Sequence, residues 1–119
     1  MEKMFIIYVP MKHFDDLYCE WTNHLSPNGN TGDFFQWHFT WDEMDSLFKI
    51  YDAWNESFNL MIDYYEYEEI SAEKVNQAIG IAKNFQAKFA SDLEKKAFDK
   101  LMEALNKAEE LNMPLGMYF

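Results

Sequence analysis

The stretch that decides the fold runs from residue 34 to residue 66 and reads FFQWHFTWDEMDSLFKIYDAWNESFNLMIDYYE. Its first six residues alternate aromatic with mostly polar side chains, and this period of two predicts a strand over 34–39. Thr40 and Glu43 then have the spacing of a capping box, which predicts the start of a helix. Apolar residues follow in steps of three and four, namely Met44, Leu47, Tyr51, Trp54, Phe58, Met61 and Tyr65.

That spacing predicts one long helix over about 41–66 with a single core-facing stripe. A strand over 58–64 is the alternative, because the apolar residues there also alternate. The apolar run before Pro10 predicts a buried strand over about 3–9, and residues 115–119 predict a last strand that pairs with it. Further helices are predicted over 11–25, 71–90 and 91–112, and Ser91 and Glu94 form a second capping box at the start of the last one. We therefore expect one α+β domain over residues 1–119, with about four helices and a small sheet.

The charge of the chain is concentrated in its first part. The formal net charge is −11, and residues 1–69 supply all of it with fourteen acidic residues against three lysines, whereas residues 70–119 are balanced. The same first part holds seventeen of the 22 aromatic residues, and the chain has no arginine. An acidic, aromatic-rich surface suits a basic protein partner, since carboxylates steer and pair while Tyr and Trp supply contact area. The charge argues against nucleic acid and anionic membranes as direct partners.

The number of cysteines and the apolar run before Pro10 indicate the cellular compartment. Cys19 is the single cysteine, so no intramolecular disulfide can form. The apolar run before Pro10 is too short for a signal peptide core or a membrane span. We therefore expect a cytoplasmic protein. Asp15, Asp16 and Glu20 should raise the pKa of the Cys19 thiol, which disfavours a nucleophile.

The acidic segment, residues 63–69, is the strongest candidate for a binding site. It places four carboxylates and three phenols in seven residues, and a basic ligand would relieve their mutual repulsion. Helical spacing also brings Asp45, Asp52, Glu56 and Asp63 near one another, which predicts a negative ridge on the long helix. The predicted partner-binding residues are Asp45, Asp52, Glu56, Asp63, Tyr64, Glu66, Tyr67, Glu68 and Glu69. The alternative is a solvated helix end whose tyrosines pack into the core.

Two other sets have structural explanations that we favour. His13, Glu20 and His24, together with Asp16, follow helical spacing and could offer ligands to a metal such as zinc, although a solvated helix face has the same pattern. The aromatic residues of 34–41 are expected to fill the core, with Phe34 on the opposite face as a contact residue. We expect no cofactor.

In overall character the chain resembles the small acidic immunity proteins of bacterial toxin–immunity systems, and is similar to phage inhibitors that imitate nucleic acid. The resemblance rests on the acidic segment and on the ending LNMPLGMYF, residues 111–119, after an amphipathic helix. It implies a protein that covers the basic active-site surface of a toxic enzyme. We therefore predict a non-enzymatic inhibitor of a basic toxin or nuclease. The alternatives are a small metal- or ligand-binding enzyme, and a helical adaptor or dimeric subunit whose apolar stripe is a dimer seam.

Overall fold

The structure is a computed structural model that describes residues 5–25 and 33–119. Its elements are β1 (Phe5–Pro10), α1 (Leu17–His24), β2 (Phe34–Phe39), α2 (Trp41–Phe58), β3 (Tyr67–Ile70), α3 (Val75–Lys83), α4 (Asp92–Leu111) and β4 (Leu115–Tyr118). Short 3-10 turns lie at Ala72–Lys74 and Gln86–Lys88. The predicted α+β class is confirmed. Within the described residues, no helix is both long enough and apolar enough to span a membrane.

The four strands form one antiparallel sheet in the order β2-β1-β4-β3. β4 pairs with β1, as predicted, so that Ile6 lies opposite Tyr118. β3 pairs with the other side of β4, with Tyr67 opposite Tyr118, and forms one edge of the sheet. Strand β2 was predicted at the observed residues, whereas residues 3 and 4 of the predicted first strand lie outside the described ranges.

The sheet has a different layer on each face. Phe5, Ile7 and Val9 of β1 point into the main core, which α2, α3 and α4 cover. Tyr8 points to the opposite face and packs with Trp21 of α1, together with Leu17 and Phe34. Phe34 was predicted to be an exposed contact residue, and this is wrong because α1 covers it.

Helices α2 and α4 begin with the capping boxes that the sequence predicts. The Thr40 hydroxyl accepts from the Glu43 backbone N–H at 3.3 Å, and the Glu43 carboxylate accepts from the Thr40 N–H at 2.9 Å. Ser91 and Glu94 exchange the same bonds at 3.1 and 3.2 Å. Each capping side chain satisfies a backbone donor that the helix leaves unpaired and stabilises the fold by about 1 kcal/mol.

Helix α2 ends eight residues earlier than predicted, so both the helix to residue 66 and the alternative strand over 58–64 are wrong. Asn59 takes the left-handed conformation (φ 56°), which asparagine tolerates better than most residues. The Asn55 side chain then holds the chain in its turn, because it accepts from the Ile62 N–H at 2.7 Å and donates to the Ile62 carbonyl at 3.1 Å. Residues 59–66 are consequently irregular, and Met61 and Tyr65 leave the predicted stripe.

Two further helix boundaries and one whole strand differ from the predictions. α1 begins at Leu17 rather than near residue 11, because Asp16 caps it through a 3.0 Å bond from the Cys19 N–H. α3 ends at Lys83, and a 3-10 turn follows it. β3 was not predicted at all. Its sequence, YEEI, has little strand character of its own, and pairing with β4 stabilises it.

Candidate partner-binding site

The acidic segment lies partly in the α2–β3 connection, residues 59–66, and partly on edge strand β3. Its backbone is fixed against the end of β4. The Tyr65 N–H donates to the Phe119 carbonyl at 3.1 Å, and the Phe119 N–H donates to the Glu66 carbonyl at 3.2 Å. The segment is therefore not a solvated helix end, as one interpretation of the sequence had it, but a backbone-paired extension of the sheet edge.

Tyr64 packs inward. Its ring lies 5.0 Å from the rings of both Trp41 and Phe48 and 5.4 Å from that of Phe5. Its hydroxyl donates a hydrogen bond to the Asp45 carboxylate on α2. The structure thus brings together Asp45 and Tyr64 from the predicted set, and the contact attaches the connection to the helix.

Tyr67 and Glu69 belong to a chain of hydrogen bonds on the α1 face of the sheet. The Tyr8 and Tyr67 hydroxyls are 2.7 Å apart, and the Tyr67 hydroxyl donates to the Glu69 carboxylate at 3.1 Å. Tyr8 is buried and stacks on Trp21 with ring centroids 4.0 Å apart. Burial raises the pKa of both phenols well above the usual value, so both stay protonated at neutral pH. This chain of hydrogen bonds orients the Glu69 carboxylate.

The other predicted carboxylates do not form the ridge as predicted. Asp52 and Glu56 are exposed on α2, one helical turn apart. Asp63 is exposed in the connection and is not aligned with them by helical spacing, because the helix has already ended. Glu66 is exposed, and Glu68 accepts a bond of 2.6 Å from the Met61 N–H.

The ion pairs of the described residues lie elsewhere on the molecule. They join Lys12 to Asp33, Lys49 to Glu94, Lys100 to Glu43 and Lys107 to Glu110. None of the seven carboxylates of the predicted site takes part in these pairs. Glu43 is the one acid of the first part that these pairs join to a lysine of the second part. Burial opposes its ionisation, but hydrogen bonds from Lys100 and from the Thr40 N–H outweigh burial and hold its pKa below the usual value.

The sequence predictions missed two exposed side chains beside the acidic segment. Met61 and Tyr65 are the most exposed of the described large apolar side chains, at 75% and 72% of their surface. Tyr65 also has a positive φ of 65°, which costs on the order of 1 kcal/mol in a non-glycine residue. The sequence signal that could have exposed them is Asn59, which can end a helix before either residue.

The metal candidates are not arranged as predicted. His13 precedes α1 and is exposed, so it does not share a helical face with Glu20 and His24. The His24 ring lies 2.7 Å from the Gln36 amide nitrogen and stacks near Trp21. Within 5–25 and 33–119, no group of three or more His, Cys, Asp or Glu side chains could hold a metal ion. The predicted rise in the Cys19 pKa is confirmed, and its cause is a hydrogen bond and the negative charge of Asp16.

Comparison with protein families, curated proteins and solved structures finds no match for this chain.

Proposed function

We propose that this protein binds a basic protein surface through the acidic segment and the neighbouring face of α2, and thereby inhibits a basic enzyme in the manner of an immunity protein. The observation that carries the proposal is that the segment's carboxylates form none of the ion pairs in the described part of the chain. The lysines that do form ion pairs, Lys12, Lys49, Lys100 and Lys107, pair with other acids. The field of the segment is therefore available to a partner.

The exposed side chains of the α2–β3 connection suit such a contact. Met61 and Tyr65 project from a backbone that hydrogen bonds attach to β4 and to Asn55. Aromatic and methionine side chains are enriched at the centre of protein interfaces, where a polar rim surrounds them. Tyr64 and Tyr67 instead attach this surface to the rest of the fold. The Tyr64 hydroxyl is hydrogen-bonded to Asp45, and the Tyr67 hydroxyl is hydrogen-bonded to Tyr8.

The mechanism is occlusion. Carboxylates on the segment occupy positions where a nuclease holds the phosphates of its substrate, while the apolar side chains exclude water. Long-range attraction accelerates the encounter, so the association rate falls as salt rises. The alternative of a dimer seam loses its basis, because Met44, Leu47, Tyr51, Trp54 and Phe58 of the α2 stripe pack in the protein's own core.

A matched pair of triple variants tests the proposal. The first replaces Glu66, Glu68 and Glu69 by glutamine. The second removes three carboxylates from exposed positions of the balanced part, as E73Q, D99N and E103Q. Association with a panel of purified basic nucleases is measured at low and high salt, together with residual nuclease activity.

We expect the first variant to lose at least about tenfold in association rate with the nuclease that the wild-type protein inhibits, and the second to change little. An equal loss in both variants would show a general charge effect and remove the segment from the site. Salt-independent association, or no inhibited enzyme in the panel, would contradict the proposed mechanism.

A further inference from the structure

A cavity of about 260 Å³ opens at the end of the sheet where β1 and β3 end and β4 begins. Three loops form its walls: the segment before α1, the turn after β3, and the connection between α4 and β4. The apolar part of the wall comes mainly from Phe14, Leu17 and Met113. Concave sites with an apolar wall and a few polar groups are the usual form of a ligand pocket, and at about 260 Å³ this one is small and suits a single side chain.

The polar groups of the cavity favour a positive ligand. Asp15 and Glu69 contribute carboxylates, Lys12 contributes the single ammonium among the cavity's side chains, and His13 contributes an imidazole. The Lys12 ammonium lies 3.5 Å from the Asp33 carboxylate, so a carboxylate outside the wall already compensates its charge. The same ammonium lies 5.4 Å from the centroid of the Phe14 ring, which is a cation–π contact within the chain.

Glu69 is held in place before any ligand binds. One of its oxygens accepts from the Tyr67 hydroxyl, which lies 2.7 Å from the hydroxyl of buried Tyr8. Tyr8 in turn stacks on Trp21. A carboxylate that accepts a hydrogen bond from a phenol, which a second phenol fixes in turn, loses less conformational entropy on binding than a free surface glutamate does.

We infer that this cavity receives a guanidinium or ammonium side chain of the basic partner, with the hydrocarbon stem against Phe14 and the charged end at Glu69. This inference rests on the proposed function and adds the anchoring contact to it. Glu69 belongs both to the acidic segment and to the cavity wall, so the two surfaces are continuous.

Two isosteric probes test the cavity without a partner. Butylguanidinium carries the charge and the stem of an arginine side chain, and butylurea has the same shape without the charge. Each is titrated into the whole protein while backbone amide shifts are followed by heteronuclear NMR. We expect shifts around the cavity, with butylguanidinium binding at least about fivefold more tightly than butylurea.

Variants separate the contributions. E69Q retains an acceptor for Tyr67 and should abolish the preference for butylguanidinium, while D99N removes an exposed carboxylate outside the proposed binding surface and should preserve it. A72F fills the cavity from its wall and should abolish binding of both probes. Amide spectra verify that each variant is folded, and D15N replaces E69Q if that variant is not.

No binding of butylguanidinium at about 50 mM, equal affinity for the two probes, or an unchanged preference in E69Q would each overturn the inference. These outcomes leave the proposed function intact if the first triple variant still loses the nuclease. If the probe binds as expected but the wild-type protein inhibits no nuclease in the panel, the inhibitor role would be contradicted. The cavity would then remain a binding site for a cation.

Discussion

Replacing Gly116 by alanine tests the packing that orients Tyr67 and Glu69. A Cβ atom added at residue 116 would lie 2.5 and 2.6 Å from the two Cε atoms of the Tyr8 ring, well inside van der Waals contact. The ring cannot move away freely, because Tyr8 is fully buried and stacks on Trp21 at 4.0 Å. The alanine must therefore displace the ring or the strand.

The cost has two parts. Overpacking of this kind costs about 1–3 kcal/mol, and loss of the Tyr8–Tyr67 hydrogen bond adds about 1 kcal/mol. We expect G116A to lower the free energy of unfolding by about 2–4 kcal/mol, a large fraction of the stability of an ordinary domain. Urea unfolding followed by circular dichroism and tryptophan fluorescence measures it.

A double-mutant cycle identifies the cause. Y8A removes the ring and is itself destabilising by about 3–5 kcal/mol, because it leaves a cavity. In the Y8A background, G116A should be neutral or slightly stabilising, since glycine in a strand is about 0.5 kcal/mol worse than alanine. A cost for G116A below about 0.5 kcal/mol, or the same cost in both backgrounds, would refute this account of Gly116.

Three further predictions concern the caps, the buried ion pair and the left-handed tyrosine. T40A should cost about 1 kcal/mol in urea unfolding, through loss of the bond to the Glu43 N–H, and an unchanged midpoint would contradict the capping role. The pKa of Glu43 lies below its ordinary value of 4.5, so its pair with Lys100 stabilises the fold above that pH and loses its effect as pH falls through the lowered pKa. K100M should cost about 3 kcal/mol at pH 7 and flatten this dependence, as measured by unfolding between pH 7 and pH 3; a pH profile like that of the wild-type protein would disprove the assignment. Y65G should change stability by less than about 1 kcal/mol, because relief of a φ of 65° offsets loss of the edge contact between the Tyr65 and Trp41 rings, whose centroids are 6.4 Å apart, and a loss well above that size would show that the ring contact dominates.

Local signals in the sequence were sufficient to predict an element where contacts within that element determine its start and end. Thr40 and Ser91 start their helices through bonds to residues three positions later, so their spacing is readable. The alternation of residues 34–39 likewise marks a strand with one buried face. In both cases the deciding contacts lie within a few residues.

The sequence-based predictions failed where contacts between residues far apart in sequence, or between side chain and backbone beyond the helix end, determine the structure. Met61 and Tyr65 continue the stripe of α2 only in sequence, since Asn59 and the Asn55 side chain turn the chain first. β3 forms because β4 offers a partner, a pairing that no local pattern encodes. The sequence also could not indicate that Tyr64 donates a hydrogen bond to Asp45 or that Tyr67 donates one to Glu69, because these contacts depend on packing between distant elements and across the sheet.

The order of strands in the sheet determines what happens when the chain is cleaved into two fragments. The central pair joins residue 6 to residue 118, while β3 lies beyond β4 at the edge. A cut between β3 and α4 would leave one fragment with three strands and a gap in their middle, and another with a helix and the missing strand. Neither piece can complete its own hydrogen-bond ladder. Mixing the two should restore the sheet by insertion, which makes this topology a natural basis for a split reporter of proximity.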